Sequence, residues 1–404
     1  MWVYLGCWNA TVPLIIVQRA SLLELATYET TLALCAVMSM LLFASRVEAM
    51  RRSTALKAGC MAIVVTGALR YVIVSVWFSI DALIFIDVLA VLAFGVVQPL
   101  FGVYPAETVE KYRIASAFRI RRICTTIGRV VGPLLAGAVI AAFSVQASLL
   151  FTALVGVAAL AVALALPTST CVNTVRGASP SERVQSMLLG IKLKLVLPPE
   201  RFLTVSGFML NLAATAMVPM LVPNFIHTHQ LAESSAGLFN ALFAIGSVAG
   251  LFVLSPLVAK RAHQRNKYIG LWALLIAALC ACAQASETWQ LAVWLFFAGA
   301  ASACLSLVGA DKRLTSVPSG VRIRLMAATL VVSQGANSAS YMVAGGITSQ
   351  FGTPALLWLY LAIFMVVVVY ALSTRRVWRF LEDDADAELY YPNNHPALAA
   401  SMRT

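Results

Sequence analysis

The sequence predicts an all-α membrane protein of twelve transmembrane helices in two pseudo-symmetric six-helix bundles, and three observations predict it. Apolar stretches of about 20 residues, the length that crosses a hydrocarbon layer, recur twelve times. Basic residues gather in every second connector, as membrane topogenesis requires. One long polar connector divides the spans six and six.

The apolar stretches run over 1–17, 26–45, 56–78, 80–103, 121–143 and 147–166, then 202–223, 235–259, 268–285, 288–310, 323–349 and 354–373. The connectors fix the count. One side carries Arg46, Arg51, Arg52 and Lys57; Lys111, Arg113, Arg119, Arg121 and Arg122; Arg176, Arg183, Lys192, Lys194 and Arg201. It continues with Lys260, Arg261, Arg265 and Lys267; Lys312, Arg313, Arg322 and Arg324; and Arg375, Arg376, Arg379 and Arg403. Of the 29 basic residues only Arg19 falls in an opposite connector, with Arg70 and Arg129 inside spans. One missed or extra helix would destroy this alternation. The positive-inside rule then puts both termini in the cytoplasm of a bacterial inner membrane.

Composition agrees. The chain is 61% hydrophobic and 11% charged, whereas a soluble domain carries roughly a quarter of its residues as charges. A soluble fold is excluded, because this much apolar surface must face lipid. The net charge of +12 is spread through short connectors, which argues against a nucleic-acid surface. Cys7, Cys35, Cys60, Cys124, Cys171, Cys280, Cys282 and Cys304 lie mostly within apolar stretches and read as small buried hydrophobes, with no disulfide, metal or cofactor expected. The opening Met1-Trp2-Val3-Tyr4 lacks the basic start of a cleavable signal peptide.

The predicted organisation is an N-terminal bundle over 1–166, a cytoplasmic linker over 167–201, a C-terminal bundle over 202–373 and an acidic cytoplasmic tail over 374–404. Prolines at 167, 180, 198 and 199 suit the linker. Its stretch Val184–Leu197 has the pattern of a basic amphipathic helix for anionic headgroups. The tail, with Glu382, Asp383, Asp384, Asp386 and Glu388, reads as a solvated end without a site. The halves echo each other: Arg119 and Arg322, and likewise Gly132 and Gly335, are separated by the same offset.

Twelve spans with a long middle connector resemble the major facilitator superfamily, over the whole chain. Three stretches resemble its bacterial branch of enterobactin exporters and transmembrane secretion effectors: Ile127 to Gly137 (IGRVVGPLLAG), Ala244 to Gly250 (AIGSVAG) and Pro318 to Arg324 (PSGVRIR). Gly128, Gly132, Pro133 and Gly137 fit the glycine–proline motif of the superfamily's exporters, with Ala136 in place of one glycine. Glycines four apart give a flat face for close helix approach, and a proline lets the helix bend; tight packing alone explains the same residues. After the second span, Arg51 and Arg52 match the family pattern, while Phe43 and Val47 replace its Gly and Asp.

Polar groups inside the membrane are costly and therefore candidates for function. Arg70 in the third span and Asp87 in the fourth lie at nearly equal depth, so an ion pair is expected, serving proton coupling or static neutralisation. The resemblance places the fourth span on the transport path, which favours Asp87 as the coupling group. Asn9, Gln98, Arg129, Asn211, Gln334 and Asn337 are the substrate-path candidates; Arg129 alternatively snorkels to headgroups. Trp8, Trp77 and Trp289 suit either an interface belt or cavity walls. His227 and His229 read as an exposed loop pair.

The resemblance implies a proton-coupled exporter of a siderophore-, drug- or peptide-like molecule, acting as a monomer, with small-molecule substrate, protons and lipid as its partners. A metabolite importer and a non-transporting sensor or assembly protein on the same fold are the alternatives. No catalytic set of His, Asp, Glu or Cys gathers at one depth, and no phosphate-binding Gly-rich loop with Lys is present.

Overall fold

The computed structural model describes residues 1–49, 52–108, 114–165, 180–254, 263–308 and 319–382. Helices α1 (Trp2–Arg19), α2 (Leu22–Ala49), α3 (Arg52–Val76), α4 (Ile80–Thr108), α5 (Ile114–Ala142) and α6 (Val145–Ala165) form the first six spans. A connecting helix, α7 (Pro180–Val196), follows. The seventh span is α8 (Pro198–Ala214), a π turn at Met217–Leu221 and α9 (Val222–Thr228). The remaining spans are α10 (Ser235–Ala249), α11 (Gln264–Ala283), α12 (Thr288–Leu305), α13 (Ser319–Phe351) and α14 (Leu356–Ser373). The described chain ends with α15 (Arg375–Glu382). This is the all-α, twelve-span architecture expected from the sequence.

Local sequence explains where helices begin. Ser21 and Glu24 form a reciprocal capping box at the start of α2: the Glu24 carboxylate accepts from the Ser21 N–H at 2.7 Å, and Ser21 Oγ accepts from the Glu24 N–H at 3.2 Å. Ser79 Oγ accepts from the Ala82 N–H and Ser144 Oγ from the Ala147 N–H, capping α4 and α6. Pro198 and Pro199 open α8, where a missing N–H costs no bond. Arg19, at the end of α1, donates to the Val74 carbonyl at 2.6 Å, satisfying the last turn of α3.

The chain divides into two packed units. The first comprises Met1–Pro180 with Val218–Ala244 and Tyr341–Ser349. Within it α1 packs against α5 and α6, α3 against α4 and α6, and α2 against α4. The second comprises Ser181–Met217, Ile245–Ser340 and Gln350–Thr404. There α11 packs between α12 and α14, and α8 meets α12, α14 and α15.

Several expectations change at this level. Cys7, Cys60, Cys282 and Cys304 are buried, but Cys35 and Cys280 are half-buried and Cys124 is exposed. In a bilayer a small apolar thiol is as compatible with lipid as with protein, so an apolar stretch does not imply burial. Cys171 lies outside the described residues. The segment after residue 374 begins with a docked helix: Val377, Trp378, Phe380 and Leu381 of α15 are buried while Arg375, Arg376 and Arg379 are exposed. Apolar residues recurring on one helical face account for the docking. The acidic stretch from Asp383 onward lies outside the described residues.

Candidate functional site

A charged centre sits among α1–α4. At 1.5 Å per residue, Arg70 and Asp87 each lie about 10 Å inside their helix ends, counted from Val76 and Ile80. Both side chains are buried, at 1% and 0% exposure. Arg70 Nε donates to Asp87 Oδ1 at 2.7 Å and Nη2 donates to the same oxygen. The second carboxylate oxygen, Oδ2, accepts from the Tyr28 hydroxyl at 2.6 Å. Tyr28 accepts in turn from Trp8 Nε1 at 3.1 Å. The Arg70 Nη1 group donates to the Tyr4 hydroxyl at 3.3 Å, and the guanidinium lies 4.3 Å from the Trp8 ring centroid.

Four helices thus contribute one network: Tyr4 and Trp8 from α1, Tyr28 from α2, Arg70 from α3 and Asp87 from α4. A buried pair is stable only when its remaining hydrogen-bonding capacity is met, and here two tyrosines and an indole ring meet it. The sequence pointed to the pair; it missed the aromatic partners, because tyrosine and tryptophan are ordinary residues of apolar spans. It also passed over Glu29, a half-buried carboxylate in α2. An acidic residue within a span was signal enough to find it.

A second polar cluster joins α8 to α13. Asn211 Nδ2 donates to Ser333 Oγ at 2.7 Å and Thr215 Oγ1 to Asn337 Oδ1 at 2.8 Å. Asn337 Nδ2 donates to Gln334 Oε1 at 2.7 Å. Asn211, Gln334 and Asn337 are therefore brought together, all half-buried. The same helices meet at Ser340, whose Oγ accepts from the Ala216 N–H at 3.1 Å and donates to the Leu212 carbonyl at 2.8 Å. That hydroxyl sits between the donor and the acceptor four residues apart that a regular helix would join, at the point where α8 gives way to the π turn.

The other predicted residues fall elsewhere. Asn9 is exposed and makes none of these bonds. Arg129 is exposed, with its guanidinium 5.6 Å from the Trp2 ring centroid. The side chain of Gln98 lies outside the described residues. Trp77 and Trp289 are 70% and 65% exposed, whereas Trp8 is buried over Arg70. His227 and His229 are exposed, the latter with its ring centroid 4.2 Å from that of Phe225.

The glycine–proline run of α5 is a contact surface. A Cβ at Gly128 would stand 2.5 Å from Trp2 Cβ, and one at Gly132 would stand 2.6 Å from the Val3 carbonyl oxygen. Pro133 packs against Gly6, and Gly137 faces Ser234 and Gly237. Cys7 Sγ donates to the Gly132 carbonyl at 3.2 Å. Gly335, the counterpart of Gly132 by offset, has nothing within 4 Å. The echo in sequence is not an echo in packing, since among the described residues nothing approaches Gly335 as α1 approaches Gly132.

A twelve-span helical fold with polar centres held inside its spans defines a multi-pass membrane protein of the solute-transporter class. The chain belongs to the Major Facilitator Superfamily, whose family model matches residues 3–265. Among solved structures it is similar to a mutant form of the nucleoside transporter NupG, with 15% identity, a TM-score of 0.73 and coverage of 93% of this chain and 96% of that one. It is similar also to a bacterial homologue of the iron transporter ferroportin in an inward-facing state (16%, 0.71, 93% and 95%). A D-xylose–proton symporter gives 12% identity, a TM-score of 0.67 and coverage of 93% and 95%. These likenesses establish the fold. Comparison with curated protein sequences gives no match.

Proposed function

We propose that this protein is a secondary active transporter of a bacterial inner membrane, exporting a siderophore-, drug- or peptide-like molecule in exchange for protons. In this reading residues 1–166 and 202–373 are the two bundles of an alternating-access cycle. Segment 167–201 links them, both termini are cytoplasmic, and the monomer is the working form. The protein is not an enzyme and needs no cofactor.

The observation that carries the reading is the buried Arg70–Asp87 pair with its tyrosine partners. A transporter that senses protons must keep ionisable groups inside its spans, and this pair places two of them there. The linked polar side chains of Asn211, Ser333, Gln334 and Asn337 supply donors and acceptors for a solute in the second unit. Export is favoured by the resemblance of the Ile127 to Gly137 stretch to the exporter motif and of three short stretches to the enterobactin-exporter branch.

The test uses everted vesicles whose lumen is acidified by respiration and reported by a pH-sensitive dye. A catecholate siderophore, a cationic dye and a short peptide are added separately. Export by proton exchange predicts that at least one of them releases lumenal protons, and that Asp87→Asn abolishes the release. Solute-driven proton movement in the opposite direction would identify an importer. Full proton-driven exchange by Asp87→Asn would refute coupling through this pair.

A further inference from the structure

Glu29 is a half-buried carboxylate of α2 that the charged centre leaves without a cationic partner among the described residues. It follows Tyr28 in α2 and lies about 10 Å from the start of that helix at 1.5 Å per residue, level with Arg70 and Asp87. Yet it differs from Asp87 in each respect that governs proton exchange. Asp87 is fully buried, with one oxygen held by Arg70 and the other by Tyr28. Glu29 is half-buried, and among the described residues no hydrogen bond or ion pair holds its carboxyl group.

Tyr28 precedes Glu29 on α2, and Asp87 of α4 is within electrostatic reach. Behind Asp87 stand Arg70 of α3 and Tyr4 of α1. On the other side is Tyr341 of α13, which also lies within the field of Glu29. Helix register explains that proximity. Ala26 touches Gly345, so the residue one turn further along α2 meets the residue one turn back along α13. Glu24, nearer the start of the helix, is exposed and engaged with Ser21.

The charges of Arg70 and Asp87 cancel, so ionised Glu29 adds a net negative charge to an otherwise neutral centre. An isolated carboxylate inside a span is costly, and the cheapest relief is to bind a proton. Partial exposure leaves this carboxyl reachable from outside the protein, whereas Asp87 is sealed.

We propose that Glu29 is the carboxyl group at which this protein binds and releases its proton, while the Arg70–Asp87 pair beside it couples that change of charge to solute movement. The proton comes from water, adds to the carboxylate as Glu29 becomes neutral, and returns to water when it ionises. Glu29 lies on α2 beside the Tyr341–Ser349 segment of α13, so its change of charge falls inside the first packed unit, where that segment meets α2. The proposal rests on the proton-exchange reading above and assigns its site.

The test is infrared difference spectroscopy on the purified full chain in lipid nanodiscs. The pH is stepped across neutrality, above the range in which exposed carboxyls titrate, in H2O and in D2O. The probe is the proton itself. Wild type is expected to give a protonated-carboxyl C=O band that shifts in D2O. Glu29→Gln is expected to lose that band almost completely, and Glu29→Asp to retain one at an altered position, which separates loss of the carboxyl from loss of fold. The charge-neutral double variant Arg70→Met with Asp87→Asn is expected to keep the wild-type band. No band in wild type, or a band that survives Glu29→Gln and disappears in the double variant, would overturn the assignment. A band assigned to Glu29 in a protein whose vesicles show no proton-linked solute movement would refute the transport reading and leave this one standing.

Discussion

Gly132 of α5 and Gly6 of α1 lie back to back: a Cβ built on Gly132 would stand 2.8 Å from the Gly6 Cα. Neither helix can carry a larger side chain at that crossing without moving its neighbour. Close approach of this kind is the main attraction between helices that share a lipid solvent, since burial of apolar surface gives little there.

Replacing Gly132 with Leu should therefore prevent α1 from docking, and folded yield in detergent should fall to a small fraction of wild type by size-exclusion chromatography. Gly335→Ala, at the offset-matched position with open space around it, should leave yield and thermal midpoint unchanged or slightly raised, as for Gly→Ala in a helix. Equal losses at both positions would contradict the contact surface on α5.

Arg70→Met should destabilise strongly. It strands the buried Asp87 carboxylate, and breaking a buried pair from one side costs about 3–5 kcal/mol. The double change Arg70→Met with Asp87→Asn removes both charges and should recover most of the lost stability. Thermal unfolding of the single and double variants, followed by tryptophan fluorescence, measures the difference.

Ser340→Ala removes the hydroxyl that lies between the Ala216 N–H and the Leu212 carbonyl. Leaving a buried backbone donor without its partner costs about 1–3 kcal/mol. The expected result is a lower thermal midpoint, with faster amide hydrogen exchange confined to the residues around Ala216. Pro219 adds to the effect, because it has no N–H to offer the turn before it.

Lys194 of α7 and Glu200 of α8 form a second buried pair, with Lys194 Nζ 3.2 Å from Glu200 Oε2. It pins the connecting helix to the start of the seventh span. Lys194→Met should release α7 and render the segment around residue 194 sensitive to protease, whereas Lys194→Met with Glu200→Gln should resist cleavage more nearly as wild type does. Limited proteolysis read by mass spectrometry distinguishes the two.

Much of the fold was legible because lipid imposes a simple rule. Each span must be long and apolar, and each basic connector must stay on one side, so periodicity and charge alone located all twelve helices. The predicted stretch at 202–223 became α8, a π turn and α9, running from Pro198 to Thr228. Hydropathy does not register a break whose backbone groups are satisfied from another helix. The Arg70–Asp87 pair was also legible, since charges in a span are rare and equal depth can be counted along a helix. Tyr4, Trp8 and Tyr28 were not, as nothing in an apolar run distinguishes a tyrosine that bonds a carboxylate from one that meets a headgroup.

By itself, then, the sequence determined the class of the protein, the number and order of its spans, and which charges had to be accommodated within them. The tertiary structure decided what those charges touch. Depth is a coordinate along one helix and can be read from residue number; rotation about the helix axis and the choice of neighbour depend on packing between helices. That is why Asp87 came to be sealed by Arg70 and Tyr28 while Glu29, at the same depth, was left half-buried beside α13.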